Sequence, residues 1–139
     1  MAATAETVTT QRPPLAFERL YADADGESHF GPVSVAITES LFAPPARAFW
    51  VSPLADAARQ GFLLVPAGWV GTLHPSPIRM WIFVLAGAME FEASDGERRP
   101  LAAGSALLLE DTTGKGHVSR VIGTDDATLA AVQLPEGRG

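Results

Sequence analysis

Cysteine is absent from all 139 residues. That excludes disulfide stapling, thiol nucleophiles and zinc sites built on thiolates. Lysine is almost absent: Lys115 stands alone, and 10 basic residues face 16 acidic ones for a formal net charge of −6. A nucleic-acid backbone is normally met by a basic footprint. Arg98 and Arg99 are the one adjacent basic pair that stands out, in what reads as a turn, so no nucleic-acid partner is expected. No apolar run reaches the roughly 18 residues of a membrane span, and no membrane partner is expected. The opening MAATAETVTTQRPP has neither a basic start nor a long apolar stretch, so it does not read as a signal peptide. A cytoplasmic location is the expectation that remains.

What is present is apolar and short-ranged. Hydrophobic residues make up 47% of a chain of ordinary single-domain length, enough to bury a core. Residues 1–14 are small and polar and end in Pro13–Pro14, which reads as a flexible tail. Residues 15–139 are expected to form one domain. In HFGPVSVAITESLF, Val33, Val35 and Ile37 alternate with Ser34, Ala36 and Thr38, the period of a half-buried strand. Leu15–Tyr21 fits a strand or a helical turn. Phe49–Val51 reads as a short strand, and SPLADAARQG as a helical turn or a loop. GFLLVPAG is continuously apolar and stopped by proline and glycine, which predicts a fully buried strand.

From Ile78 to Leu85 both faces are apolar apart from Arg79. Trp81, Phe83 and Leu85 share one face and Met80, Ile82 and Val84 the other. A turn at Ala86–Gly87 leads into AMEFEA, where Met89, Phe91 and Ala93 should point inward and Glu90 and Glu92 outward. Asp95–Gly96 marks a hairpin. LAAGSALLLE, HVSRVIG and TLAAVQLP complete about eight or nine short strands with no long helix. The fold class is therefore all-β, a sandwich or barrel closed around one core.

The residues that carry chemistry gather between Pro66 and His117. PAGWVGTLHPSPIRMWIFVLAG and GSALLLEDTTGKGH resemble the two motifs of the cupin superfamily. The resemblance covers roughly Phe62 to Leu134 and implies a small single-domain cupin: a jelly-roll, or double-stranded β-helix, with a homodimer as the expected assembly. Gly68 and Gly87 bound the first motif. His74 falls at its first histidine, Ser76 where a second histidine would stand, and Met80 where a metal-binding glutamate would stand. In the second motif Gly104, Gly114 and His117 match the opening glycine, the turn glycine and the histidine. A thioether and a neutral hydroxyl are poor partners for hard divalent ions. No cofactor is therefore expected, and any metal would rest on His74 and His117, with a distant Glu or His29 as a third ligand.

His74 and His117 are the candidate catalytic pair. Two imidazoles facing one cavity can divide acid and base roles, because each charge disfavours the other. Arg79, Trp69, Trp81, Phe83, Met80 and Ser76 are the candidate substrate-binding residues, with Arg79 able to clamp an anionic oxygen if it points inward. Glu110 and Asp111 precede the second histidine on opposite faces. Both are expected in solvent, the alternative being that one of them orients His117. Lys115 is expected at the mouth as a mobile side chain. TGKG lacks the full pattern of a phosphate loop, and no helix follows it. His29 is expected in a loop.

These readings converge on a small-molecule-binding protein. The leading expectation is a metal-independent acid–base enzyme of the isomerase, lyase or cyclase type acting on an apolar or aromatic substrate. A non-catalytic ligand-binding or sensing protein and a metal-dependent enzyme with atypical ligands are the alternatives.

Overall fold

The structure, a computed structural model, describes residues 12–136. Most of the expected N-terminal tail, residues 1–11, lies outside the described residues. Eleven strands and no helix form the described chain: β1 Leu15–Ala22, β2 Ser28–Val35, β3 Thr38–Ser40, β4 Phe49–Val51, β5 Arg59–Val65, β6 Met80–Ala86, β7 Ala88–Ala93, β8 Arg98–Ala102, β9 Ala106–Glu110, β10 His117–Val121 and β11 Ala127–Gln133. SPLADAARQG is thus loop running into β5, and His29 lies in β2 rather than in a loop.

The chain forms two compact units. Among the described residues, one takes in 12–16 and Val33–Ala55. Its regular structure is the antiparallel pair β3–β4, in which Glu39 lies opposite Trp50. The Phe42 and Phe49 rings meet there with centroids 5.7 Å apart.

The other unit takes in Phe17–Pro32 and, among the described residues, 56–136. It is built on a six-stranded sheet, β2-β1-β9-β6-β11-β5, and a three-stranded sheet, β10-β7-β8. From β6 on, the chain moves repeatedly between the two: β6, β9 and β11 lie in the larger sheet, β7, β8 and β10 in the smaller. That two-sheet alternation is the double-sheet jelly-roll solution to burying strand faces. The all-β expectation holds.

Period-two patterning decides which side chains meet. Met80, Ile82 and Val84 of β6 are buried and join Leu20, Leu107, Leu109 and Leu129. Met89, Phe91 and Ala93 of β7 close the same core from the smaller sheet. Glu90 and Glu92 point the other way and accept hydrogen bonds from Arg120 at 2.6 and 2.9 Å. Trp81 and Phe83 occupy the opposite face of β6 and stack with centroids 5.9 Å apart. The Asp95–Gly96 hairpin forms as read, with Gly96 donating its amide to Ala93 at 3.0 Å.

Gly87 marks the corner where β6 in one sheet gives way to β7 in the other. Its φ of 74° lies in the left-handed region. A Cβ there would run into the backbone of Asp126 and lie 2.9 Å from the Ala127 Cα. Only glycine lets the corner pack this closely.

One expectation fails. GFLLVPAG is not a fully buried strand. Its β5 segment is the edge of the six-stranded sheet, and Phe62 and Leu64 are 73% and 69% exposed. Leu63 and Val65 point the other way, toward the interior. A continuous apolar run does not distinguish a central strand from an edge strand, because neighbours decide that and the run itself does not encode them.

The two placements separate in stability. Leu107→Ala, at a site with no exposure, should cost about 2–5 kcal/mol in urea unfolding. Leu64→Ala should change stability by only about 0.5 kcal/mol, the scale of an exposed site. A Leu64→Ala cost as large as that of Leu107→Ala would contradict the edge placement of β5.

Candidate functional site

β10 is an edge strand of the smaller sheet, and its free side is taken up by the loop that follows β5. Val70 bridges Arg120 and His74 bridges His117, both antiparallel. The second bridge is complete: the His74 amide donates to the His117 carbonyl at 3.1 Å, and the His117 amide to the His74 carbonyl at 3.0 Å. The two imidazoles lie side by side in consequence, ring centroids 5.3 Å apart. Gly116 permits this approach. Its φ is 84°, and a Cβ would overlap the His74 carbonyl and the Pro75 nitrogen.

Both rings line a cavity of about 190 Å³ whose walls include Leu63, Val65, Met89, Phe91 and Leu129. For scale, an apolar cavity of about 150 Å³ holds a benzene ring. Trp69, Ser76 and Met80 line the same space. Ser119 does too, and it was not among the candidates. The signal for it was present, since in HVSRV the residue two after His117 shares its strand face.

Three candidates fall elsewhere. Trp81 and Phe83 sit on the far face of β6, because side chains alternate along a strand. Arg79 lies on that same far face. It is 45% exposed and donates its Nε to Glu110 Oε2 at 2.8 Å. None of the three lines the cavity, and among the described residues no arginine or lysine does. Lys115 does not line the cavity, and its side chain donates to Glu27 at 3.2 Å.

Asp111 is the correction with the largest chemical consequence. Instead of lying in solvent it is fully buried, and its Oδ2 stands 2.6 Å from the Nδ1 of His117, itself 3% exposed. Glu110, its neighbour, turns the opposite way to Arg19 and Arg79. Asp111 Oδ1 is buried without a hydrogen-bond partner among the described residues.

These contacts assign the tautomers. An ionised carboxylate only accepts, so His117 carries its proton on Nδ1. His74 donates Nδ1 to the Thr72 carbonyl at 2.6 Å. In each neutral ring Nε2 is left as the lone-pair nitrogen, and neither Nε2 has a hydrogen-bond partner among the described residues. The arrangement provides two bases over an apolar cavity, one of them backed by a buried carboxylate.

The donor set does not suit a divalent cation. Among the described residues no group of three or more His, Cys, Asp or Glu side chains converges as a metal site. The Ser76 hydroxyl already donates to the Ile78 carbonyl at 2.8 Å, and Met80 offers only a thioether. His29, the third imidazole considered, is held by Asp23 and Asp95 at 2.7 and 2.8 Å and does not line the cavity.

No protein-family model matches the chain, and no curated protein does so significantly. Several solved structures are similar to it. A cupin 2 conserved barrel domain protein from Salinispora arenicola shares 18% identity at a TM-score of 0.48, over 73% of this chain and 76% of that one. The cupin domain of Schizosaccharomyces pombe Cnp3 shares 14% identity at 0.46, over 90% and 86%. NovW, a 4-keto-6-deoxy sugar epimerase from Streptomyces spheroides, shares 18% identity at 0.44, over 92% and 72%. The chain is thus similar to cupin-domain proteins, at a distance that assigns it no substrate and no reaction. No helix of the described residues is long and apolar enough to cross a membrane.

The site's dependence on one glycine is testable. Gly116→Ala should destabilise the fold by more than about 1 kcal/mol, since both φ and space are wrong for a side chain. Hydrogen exchange should show the His74 amide losing protection ahead of the β7–β8 hairpin. Equal protection in variant and parent would contradict the close approach.

Proposed function

We propose that the protein binds a small, uncharged, largely apolar or aromatic molecule and moves a proton on it by acid–base chemistry, as an isomerase, lyase or cyclase does. The observation that carries this reading is the buried 2.6 Å contact between Asp111 and His117 at the wall of an apolar cavity.

His117 is the base in this reading. Asp111 holds its Nδ1–H, which keeps the lone pair on Nε2 and orients the ring. When His117 takes a proton, the new positive charge lies beside the Asp111 carboxylate, in surroundings where water screens little. His74, with its ring 5.3 Å away centroid to centroid, returns a proton or hydrogen-bonds the oxygen on which negative charge develops. The walls hold the apolar part of the ligand, and the lack of a lining cation disfavours carboxylate or phosphate groups. A positioned general base contributes about 10²–10⁴ in rate.

Small cyclic and aromatic ketones incubated with the protein in D₂O provide the test, with deuterium uptake next to the carbonyl followed by NMR. Uptake should be catalysed by the parent and fall about 10²-fold or more in His117→Ala and in Asp111→Asn. His74→Ala should fall less if it only assists. Uptake that is undiminished in both His117→Ala and Asp111→Asn would sink the acid–base reading. Saturable ligand binding without any uptake would favour the binding or sensing alternative.

A further inference from the structure

The six-residue loop between β9 and β10 has Asp111 at one end and leads into His117 at the other. What holds the loop in place is the turn between β1 and β2. The Lys115 amide donates to the Gly26 carbonyl at 2.8 Å. The Ser28 hydroxyl donates to the Gly116 carbonyl at 2.8 Å. Gly114 packs so closely on Gly26 that a Cβ would lie 2.8 Å from its Cα. The Lys115 side chain reaches Glu27 at 3.2 Å.

The same turn is fastened to the β7–β8 hairpin. The Ser28 amide donates to Ser94 Oγ at 2.7 Å, and the Ser94 hydroxyl donates to Glu27. His29 completes the fastening. Its Nε2 meets Asp23 Oδ2 at 2.7 Å and its Nδ1 meets Asp95 Oδ2 at 2.8 Å. An ionised carboxylate cannot donate, so both bonds form together only when both ring nitrogens carry hydrogen. A neutral imidazole can keep one.

We propose that His29 is a protonation-operated clamp: its imidazolium bridges Asp23 to Asp95 and thereby steadies the turn that supports the loop between Asp111 and His117. The clamp rests on contacts outside the cavity. Only its effect on proton transfer depends on the function proposed above.

The surroundings agree in sign. The charged and titratable groups facing His29 and its fastening are Asp23 and Glu27 from the turn, Asp95 from the hairpin, and Lys115 from the β9–β10 loop. Tyr21 of β1 lies with its ring 5.8 Å away, beneath the Arg19 guanidinium. The hydrogen bonds His29 donates to Asp23 and then to Asp95 hold its ring above the ordinary range. His29 in turn holds Asp23 below the usual carboxylate range, and Ser94, then Lys115, do the same for Glu27. A raised histidine is fully effective below its unfolded value and loses its contribution as pH rises through the folded one. The clamp therefore closes in mildly acidic solution and opens as pH rises past the raised value. Asp23 sets the lower limit, since its own part is lost when acid protonates it.

Hydrogen exchange of the Lys115 amide on the full chain, corrected for the intrinsic pH dependence, tests this without any ligand. In the parent, protection should fall about tenfold between roughly pH 6 and pH 9, in one step. His29→Gln should show the low value throughout, with no step. Asp95→Asn should also remove the step but keep protection high, because an amide can donate to the unprotonated nitrogen of a neutral ring. Flat protection in the parent, or a step that survives His29→Gln, would overturn the clamp. Failure of the ketone exchange assay with this step intact would count against the proposed chemistry alone.

Discussion

The site depends on a backbone constraint before it depends on any side chain. His74 lies in a loop and His117 opens a strand, and the two pair as though they belonged to one sheet. Exchange of both amide–carbonyl bonds fixes their separation. Gly116 allows it, since any Cβ at that position would occupy the place of the His74 backbone. Given the pairing, both rings project from adjoining backbone, and the cavity beneath them is closed by core residues of both sheets.

A second constraint is electrostatic. Among the described residues the cavity is lined by no arginine, lysine or carboxylate, and the buried Asp111 meets His117 from outside that lining. Burying Asp111 is costly unless the charge is matched. One imidazole at 2.6 Å matches one oxygen, and the other oxygen is left without a partner among the described residues. The surface charges follow a different rule. Glu90, Glu92, Arg98 and Arg120 form a solvent-facing ladder, in which each pair contributes about 0–1 kcal/mol.

Strand identity was legible because period two is written directly into residue type. Met89, Phe91 and Ala93 against Glu90 and Glu92, and Asp95–Gly96 between two such runs, needed no structure. His74 and His117 were expected as a pair from the resemblance to the two cupin motifs, and Trp69, Ser76 and Met80 fell on the same cavity. Trp81 and Phe83 were placed correctly on one face of β6. Which of its two faces adjoined the cavity was not readable, because both are apolar. Arg79 shares the face of Trp81, and its nearest acid, Glu110, is 31 residues away.

The order of residues by itself determined an all-β chain, its hairpins and the alternating core positions. Those properties are local, set by side-chain period, turn chemistry and spacing. Tertiary structure alone decided the rest. GFLLVP became an edge strand because β11 pairs with it on one side and, among the described residues, no strand pairs on the other. Asp111 became the partner of His117, and His29 the bridge between two turns, because sheet packing brings together segments whose separation along the chain carries no mark of that meeting. Burial and pairing depend on what lies across the fold, and neither can be read from the residue that undergoes them.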